Sequence, residues 1–125
     1  MAKKKKTYSS EQIVELIVEG IREKKGKEIV TINFKGLDNT ISDYFVICHG
    51  SSTSQVEAIS DNISEFVRKK SSVKPWHTEG QRNAEWVLLD YVDVVVHVFL
   101  EPSRRFYKIE NLWADAKVEY LKDEE

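Results

Sequence analysis

The stretch Glu85–Leu100, EWVLLDYVDVVVHVFL, holds two apolar runs, Trp86–Leu89 and Val94–Leu100, with Asp90 and Asp93 bracketing the turn between them. Aspartate disfavours strand and favours turns, whereas valine's branched side chain is stiff and packs well on a pleated surface. The spacing therefore predicts a two-stranded hairpin. His97 falls on the same face as Val95 and Phe99, because side chains two apart point the same way. It is expected to be a core or sheet-face histidine with a satisfied hydrogen bond. Behind the hairpin, Phe106, Tyr107, Leu112 and Trp113 crowd large apolar side chains near the end of the chain. A terminus that only had to be soluble would have no use for them.

Upstream, Ser9 and Gln12 form a capping-box pattern, and Ile13, Leu16, Ile17 and Ile21 follow at helical spacing. Lys24 and Lys25 suit the negative end of that helix, and Gly26 marks its stop. Ile29–Phe34 alternates apolar with polar residues and reads as a strand with no clear choice of buried face. Lys35–Thr40, with Gly36, Asp38 and Asn39, is a turn. Asp43–His49 reads as a second strand, its Tyr44–Cys48 run apolar on both faces. Ser52 and Gln55 cap a helix whose stripe is Val56, Ile59, Ile63, Phe66 and Val67.

Pro75 limits the polar segment 71–85 to a short edge strand around Val73–Thr78 and a loop. After the hairpin, Pro102 starts a short helix or turn. Ile109 and Leu112, three apart, are expected to pack inward. Lys117–Glu125 is mostly charged and expected to fray, with Val118 and Leu121 available to extend a last helical turn. This order predicts an α/β (α+β) fold in which a mixed central sheet is packed with helices. Residues 1–8 are expected to be a flexible basic tail and 9–121 a single domain.

The chain has 125 residues, 41% hydrophobic and 32% charged, a composition of globular and not of disordered proteins. Its one cysteine, Cys48, excludes an intrachain disulfide and reads as a small core side chain, which suits a reducing cytoplasm. No apolar run approaches the roughly 20 residues that span a bilayer, and no apolar stretch follows the N-terminal lysines as in a secretory signal. Lys3–Lys6 carry four positive charges of a chain whose net charge is −2, leaving −6 on residues 7–125. An acidic body argues for a basic protein partner. Lys3, Lys4, Lys5 and Lys6 offer at most a weak attraction to RNA.

The strongest catalytic-looking feature is Gly50-Ser51 between a strand and a helix, which resembles the phosphate-holding turn of nucleotidyltransferases. That chemistry needs closely spaced carboxylates holding two metal ions about 3.5–4 Å apart. Here the following helix begins Thr53-Ser54-Gln55-Val56-Glu57, with one glutamate and no second carboxylate. The scaffold is nucleotidyltransferase-like without the catalytic carboxylates, and a nucleotide-using enzyme built on Gly50-Ser51 is the alternative reading. His49, His77 and His97 are scattered, with no zinc-site spacing, and the five glycines are isolated. No catalytic, cofactor-binding or metal-binding residue is assigned. Trp76, Trp86, Phe106, Tyr107 and Trp113 lie in the last two-fifths of the chain, and most are expected in the core. Tryptophan, tyrosine and arginine also anchor protein interfaces, and Arg104-Arg105 adjoin Phe106-Tyr107.

Several blocks, in order, closely resemble the Iojap-like ribosomal silencing factors. They are Ser42-Asp43-Tyr44-Phe45-Val46-Ile47, Glu79-Gly80, Trp86-Val87-Leu88-Leu89-Asp90-Tyr91, Asp93–Phe99, and Phe106-Tyr107 to Leu112-Trp113-Ala114-Asp115-Ala116. The resemblance implies a non-enzymatic translational repressor. Such factors bind the large ribosomal subunit at protein L-fourteen and block its joining to the small subunit. Some form homodimers, and an exposed hairpin or edge strand offers a route to that. Carried onto matching positions, the partner-binding residues are Trp86, Leu88, Asp90, Tyr91, Asp93, Phe106, Tyr107 and Trp113. Two departures stand out: Gly50-Ser51-Ser52-Thr53 is a looser match, and the family usually has glycine where this chain has Val92. A β-branched residue disfavours positive φ, so the turn must either avoid that conformation or be strained.

Overall fold

The computed structural model describes residues 7–113 and 115–124. The expectation for Lys3–Lys6 lies outside the described residues, as does most of the 1–8 tail. Six strands form one mixed sheet: β1 (Lys27–Asn33), β2 (Tyr44–Gly50), β3 (His77–Glu79), β4 (Trp86–Asp90), β5 (Val94–Leu100) and β6 (Lys117–Tyr120). Their spatial order is β3-β4-β5-β2-β1-β6, and β2 and β5 pair in parallel while the other neighbours are antiparallel. The helices are α1 (Ser10–Glu23), α2 (Thr53–Ser71) and α3 (Glu101–Tyr107), and a 3-10 turn covers Ile109–Asn111. This is the mixed α/β architecture expected from the order of elements. No helix among the described residues is long and apolar enough to cross a membrane.

Helices α1 and α2 cover one face of the sheet. Ser9 and Gln12 close the capping box of α1, turning Ile13, Ile17 and Ile21 inward. Ser52 accepts from the Gln55 N–H to start α2, which buries Val56, Ile59, Ile63 and Val67. Against them lie Ile29, Val46, Cys48, Val87, Leu89, Val94, Val96 and Val98. Gly26 is required by packing: a Cβ there would lie 2.4 Å from Ile21 Cγ2. The positive φ after α1 falls instead on Lys25.

The opposite face carries Val30, Ile32, Phe34, Phe45, Ile47, Val95 and Phe99, with Ile109 against them. Strand β1 is therefore buried on both faces, which its alternation left open. Ile29 and Val30 point to opposite faces by ordinary alternation, and a register shift lies just before them, between Lys27 and Val30, with Glu28 at φ +49. Among the described residues, α3, the 3-10 turn, Leu37, Trp113 and Ala116 pack on this second face in place of long helices, and its strand residues from Val30 to Phe99 are buried beneath them.

Three expectations fail here. Residues Lys117–Tyr120 form a strand and not a fraying or helical end, because β1 leaves an unpaired edge that they complete, Val30 opposite Tyr120 through Asn33 opposite Lys117. The Glu28 N–H donating to Asp123 Oδ1, and the Leu121 N–H to Ile29 O, extend that attachment. Leu112 is exposed although Ile109 is buried, because the helix ends at Lys108 in the left-handed region and a three-residue spacing no longer marks one face. And none of the five clustered aromatics is fully buried: Trp86 and Trp113 are half-buried, Trp76, Phe106 and Tyr107 exposed.

Candidate docking face

On strand β4, Trp86, Leu88 and Asp90 share one side, opposite Phe99, His97 and Val95 of β5. Alternation therefore places them on the face that lacks the long helices. The indole of Trp86 stacks obliquely on Phe99 at 4.8 Å and on Tyr107 at 4.9 Å, and Tyr107 meets Phe106 edge-on at 5.0 Å. Farther along, Phe45 lies 4.6 Å from His97, and Trp113 stands edge-on to both Phe45 and Phe34. A line of rings thus runs across the face from Phe106 to Phe34. Its Phe106 end is open to solvent: Phe106 is 80% and Tyr107 50% exposed. Arranged rings contribute large contact area at low entropic cost, which is what a protein interface uses.

The structure brings together Trp86, Leu88, Phe106, Tyr107 and Trp113 on this face; Asp90 lies on the same side at the turn end of β4, and Asp93 is exposed in the hairpin turn. Tyr91 is separated from them. One residue beyond Asp90, it points to the other side, buried in the α1–α2 core, where burial pushes its phenol up to about 12. It does not belong to the surface.

A buried arginine sets the position of α3. The Arg104 side chain, 2% exposed, donates from Nε to Glu110 at 3.1 Å, and from one terminal nitrogen to Lys27 O and to His49 Nδ1. It thus joins α3 to β1, β2 and the 3-10 turn, and fixes the segment bearing Phe106 and Tyr107. The sequence pattern marked Arg104 only as a neighbour of aromatics. Its role was hidden because burial of a guanidinium depends on partners distant in the chain.

Glu28, His49 and Glu101 place three ligand atoms within 4.8 Å of one another, the arrangement among the described residues that comes nearest to a metal site. The chemistry does not fit a metal. A guanidinium only donates, so His49 Nδ1 must accept and Nε2 carries the ring proton, leaving no lone pair for an ion. Arg105 occupies the cation position, 2.6 Å from Glu28 and 3.0 Å from Glu101, and holds the Glu28 carboxyl below its ordinary range. Burial, then the Arg104 charge, push the His49 pKa down.

The Gly50-Ser51 turn is also occupied. Gln55 Oε1 accepts from the Ser51 N–H at 2.8 Å, while its amide nitrogen donates to the carbonyls of Lys24 and Lys25. The donor that would cradle a phosphate is satisfied internally. Asp90 and Asp93 lie at the other end of β5, roughly 20 Å away for seven residues at about 3.3 Å each.

A family profile described as "Ribosomal silencing factor during starvation" matches residues 7–125. A protein named ribosomal silencing factor RsfS from Halalkalibacterium halodurans is 40% identical over 86% of this chain and 91% of its own length. A crystal structure of a Chromobacterium violaceum protein superposes with a TM-score of 0.80 at 32% identity, covering 90% of this chain and 92% of that one. More distantly, a mouse protein named mitochondrial assembly of ribosomal large subunit protein 1 is 26% identical over 80% of this chain and 44% of its own.

Proposed function

The chain belongs to the ribosomal silencing factor family, and from that premise we propose that it is a non-catalytic repressor of translation that binds the large ribosomal subunit. In this reading protein L-fourteen of that subunit is the contact, and the bound domain sterically blocks association with the small subunit in the cytoplasm. The observation that carries it is the row of rings on the face without long helices, where half-buried Trp86 leads through Tyr107 to exposed Phe106 beside Leu88. An apolar, aromatic surface held by a rigid sheet suits a protein partner. An acidic body further favours a basic one.

The nucleotide alternative has less support, because Gln55 fills the Gly50-Ser51 turn and the neighbouring carboxylates are paired with Arg105. Co-sedimentation with purified large subunits, and light scattering of subunit reassociation, test the proposal. Saturable binding and inhibited reassociation are expected. A folded chain that neither sediments with large subunits nor slows their joining would overturn it. Micromolar binding of a nucleoside triphosphate with magnesium, read by calorimetry, would restore the alternative.

A further inference from the structure

Beyond the row of rings, at the turn end of β4 and β5, three segments distant in sequence converge on one open groove of about 300 Å3. Ile41 comes from the loop between β1 and β2, Trp76 from the segment before β3, and Val92 from the hairpin turn; Val95 and Asp90 complete the lining. Ile41 is 86%, Trp76 76% and Val92 57% exposed. Scattered apolar side chains are ordinary on a surface, but three gathered around one groove mark an interaction site.

The groove is built by defined contacts. Val92 stands at φ +76, and the Asp93 N–H donates back to Tyr91 O at 3.0 Å, which makes a γ-turn of the strained, positive-φ kind. Asp90 Oδ1 accepts from the Val92 N–H at 2.7 Å and holds it so. The Trp76 N–H donates to the Asp90 carbonyl at 2.7 Å, and the Asp43 N–H to the Asp93 carbonyl at 2.8 Å, tying the other two segments to the same turn. Backbone strain that persists in a β-branched residue tends to accompany function.

Charge identifies the occupant. Asp38, Asp43, Asp90 and Asp93 are on these segments, and among the described residues none of them is in an ion pair. Lys74, close in sequence to Trp76, lines a separate depression against α2. We propose that the groove takes an arginine side chain of a basic protein partner. The aliphatic stem lies along Ile41, Val92 and Val95, the guanidinium plane over the Trp76 indole, and its N–H groups on Asp90 Oδ2. Arginine fits better than lysine because only a planar guanidinium both stacks on tryptophan and meets a carboxylate. Carboxylates at this rim repel the phosphates of RNA.

This assignment rests on the large-subunit reading and adds residues to it. Its test places p-benzoylphenylalanine at position 76 of the full chain, irradiates it with purified large subunits and identifies crosslinked peptides by mass spectrometry. An arginine-containing peptide of a ribosomal protein is expected. A crosslink to ribosomal RNA, to a second copy of this chain or to a peptide without arginine would overturn the assignment.

In parallel, Trp76→Ala and Asp90→Asn should each weaken large-subunit binding at least about tenfold without lowering Tm, since the asparagine oxygen still accepts from Val92. The double variant should lose less than the product of the two, as both act on one side chain. Only Asp90→Asn should reduce the salt dependence. Variants that bind like the wild type overturn the arginine assignment alone. A wild-type chain that does not bind large subunits overturns it together with the reading it rests on.

Discussion

The indole Nε1 of Trp86 donates a hydrogen bond to Nδ1 of His97 across the β4–β5 pair at 3.1 Å. An indole N–H only donates, so Nδ1 must accept and the ring proton sits on Nε2, which is buried and has no partner among the described residues. Protonating His97 would put a second donor against the indole. Burial accordingly pushes its pKa down to about 4 from an ordinary 6.5.

Stability should therefore fall on acidification. The unfolded chain takes up this proton below pH 6.5, the folded chain only near 4, so the contribution of neutral His97 is complete above 6.5 and lost progressively down to about 4. His49, also depressed, acts with the same sign. The depressed carboxylates Glu28 and Glu65 lose their contribution only below their ordinary 4.5, so the histidines dominate between 6.5 and 4.5. Urea unfolding should show stability falling by up to about 1.4 kcal/mol per pH unit through His97 in that window, with His49 adding in the same direction. His97→Gln should flatten the slope. Equal stability at pH 7 and pH 5 would contradict this account.

Tyr107 and Trp113 should separate binding from stability. Tyr107 is half-exposed and rests on Trp86, so Tyr107→Ala should weaken large-subunit binding by roughly 2 kcal/mol while the domain stays folded. Trp113 is wedged edge-on between Phe34 and Phe45, and Trp113→Ala should cost about 3 kcal/mol of stability. Melting curves and co-sedimentation on both variants check this. Normal binding by folded Tyr107→Ala would remove Tyr107 from the face.

Periodicity carried most of the fold because the hairpin, α1, α2 and β2 each announce themselves locally. The valine run and its aspartate bracket fix Trp86, Leu88 and Asp90 on one side, which also places Tyr91 on the other. What was not legible depends on distant partners. Residues Lys117–Tyr120 are charged and become a strand only because β1 has a free edge. Ile41, Trp76 and Val92 meet only through the three-way contact at the hairpin turn. Val92 itself was legible as a conflict between residue and turn, and the φ of +76 shows that the strained alternative is the one adopted.

Arg104 should be among the most sensitive positions. Replacing it with methionine keeps volume but strands Glu110, whose Oε2 already has no partner among the described residues, and removes the donor to His49. Breaking a buried pair on one side costs about 3–5 kcal/mol. Denaturant unfolding of Arg104→Met should show a loss of that order. A near-neutral result would mean that α3 is held mainly by its apolar contacts.

Val92→Gly sets stability against docking. At φ +76 valine's Cβ is strained, and the isopropyl group, 57% exposed, contributes little burial to offset it. Glycine tolerates this conformation but is more disordered when unfolded, which returns part of the gain. The net expectation is a stabilisation of about 0.5–1 kcal/mol, read as a higher urea midpoint at unchanged slope. The same change strips one wall from the groove lined by Ile41, Trp76 and Val95, so large-subunit binding should weaken although the fold is firmer. A variant that is stabilised and binds as well as the wild type would show Val92 to be merely tolerated. One that is destabilised would show that its side chain contributes packing which outweighs the strain.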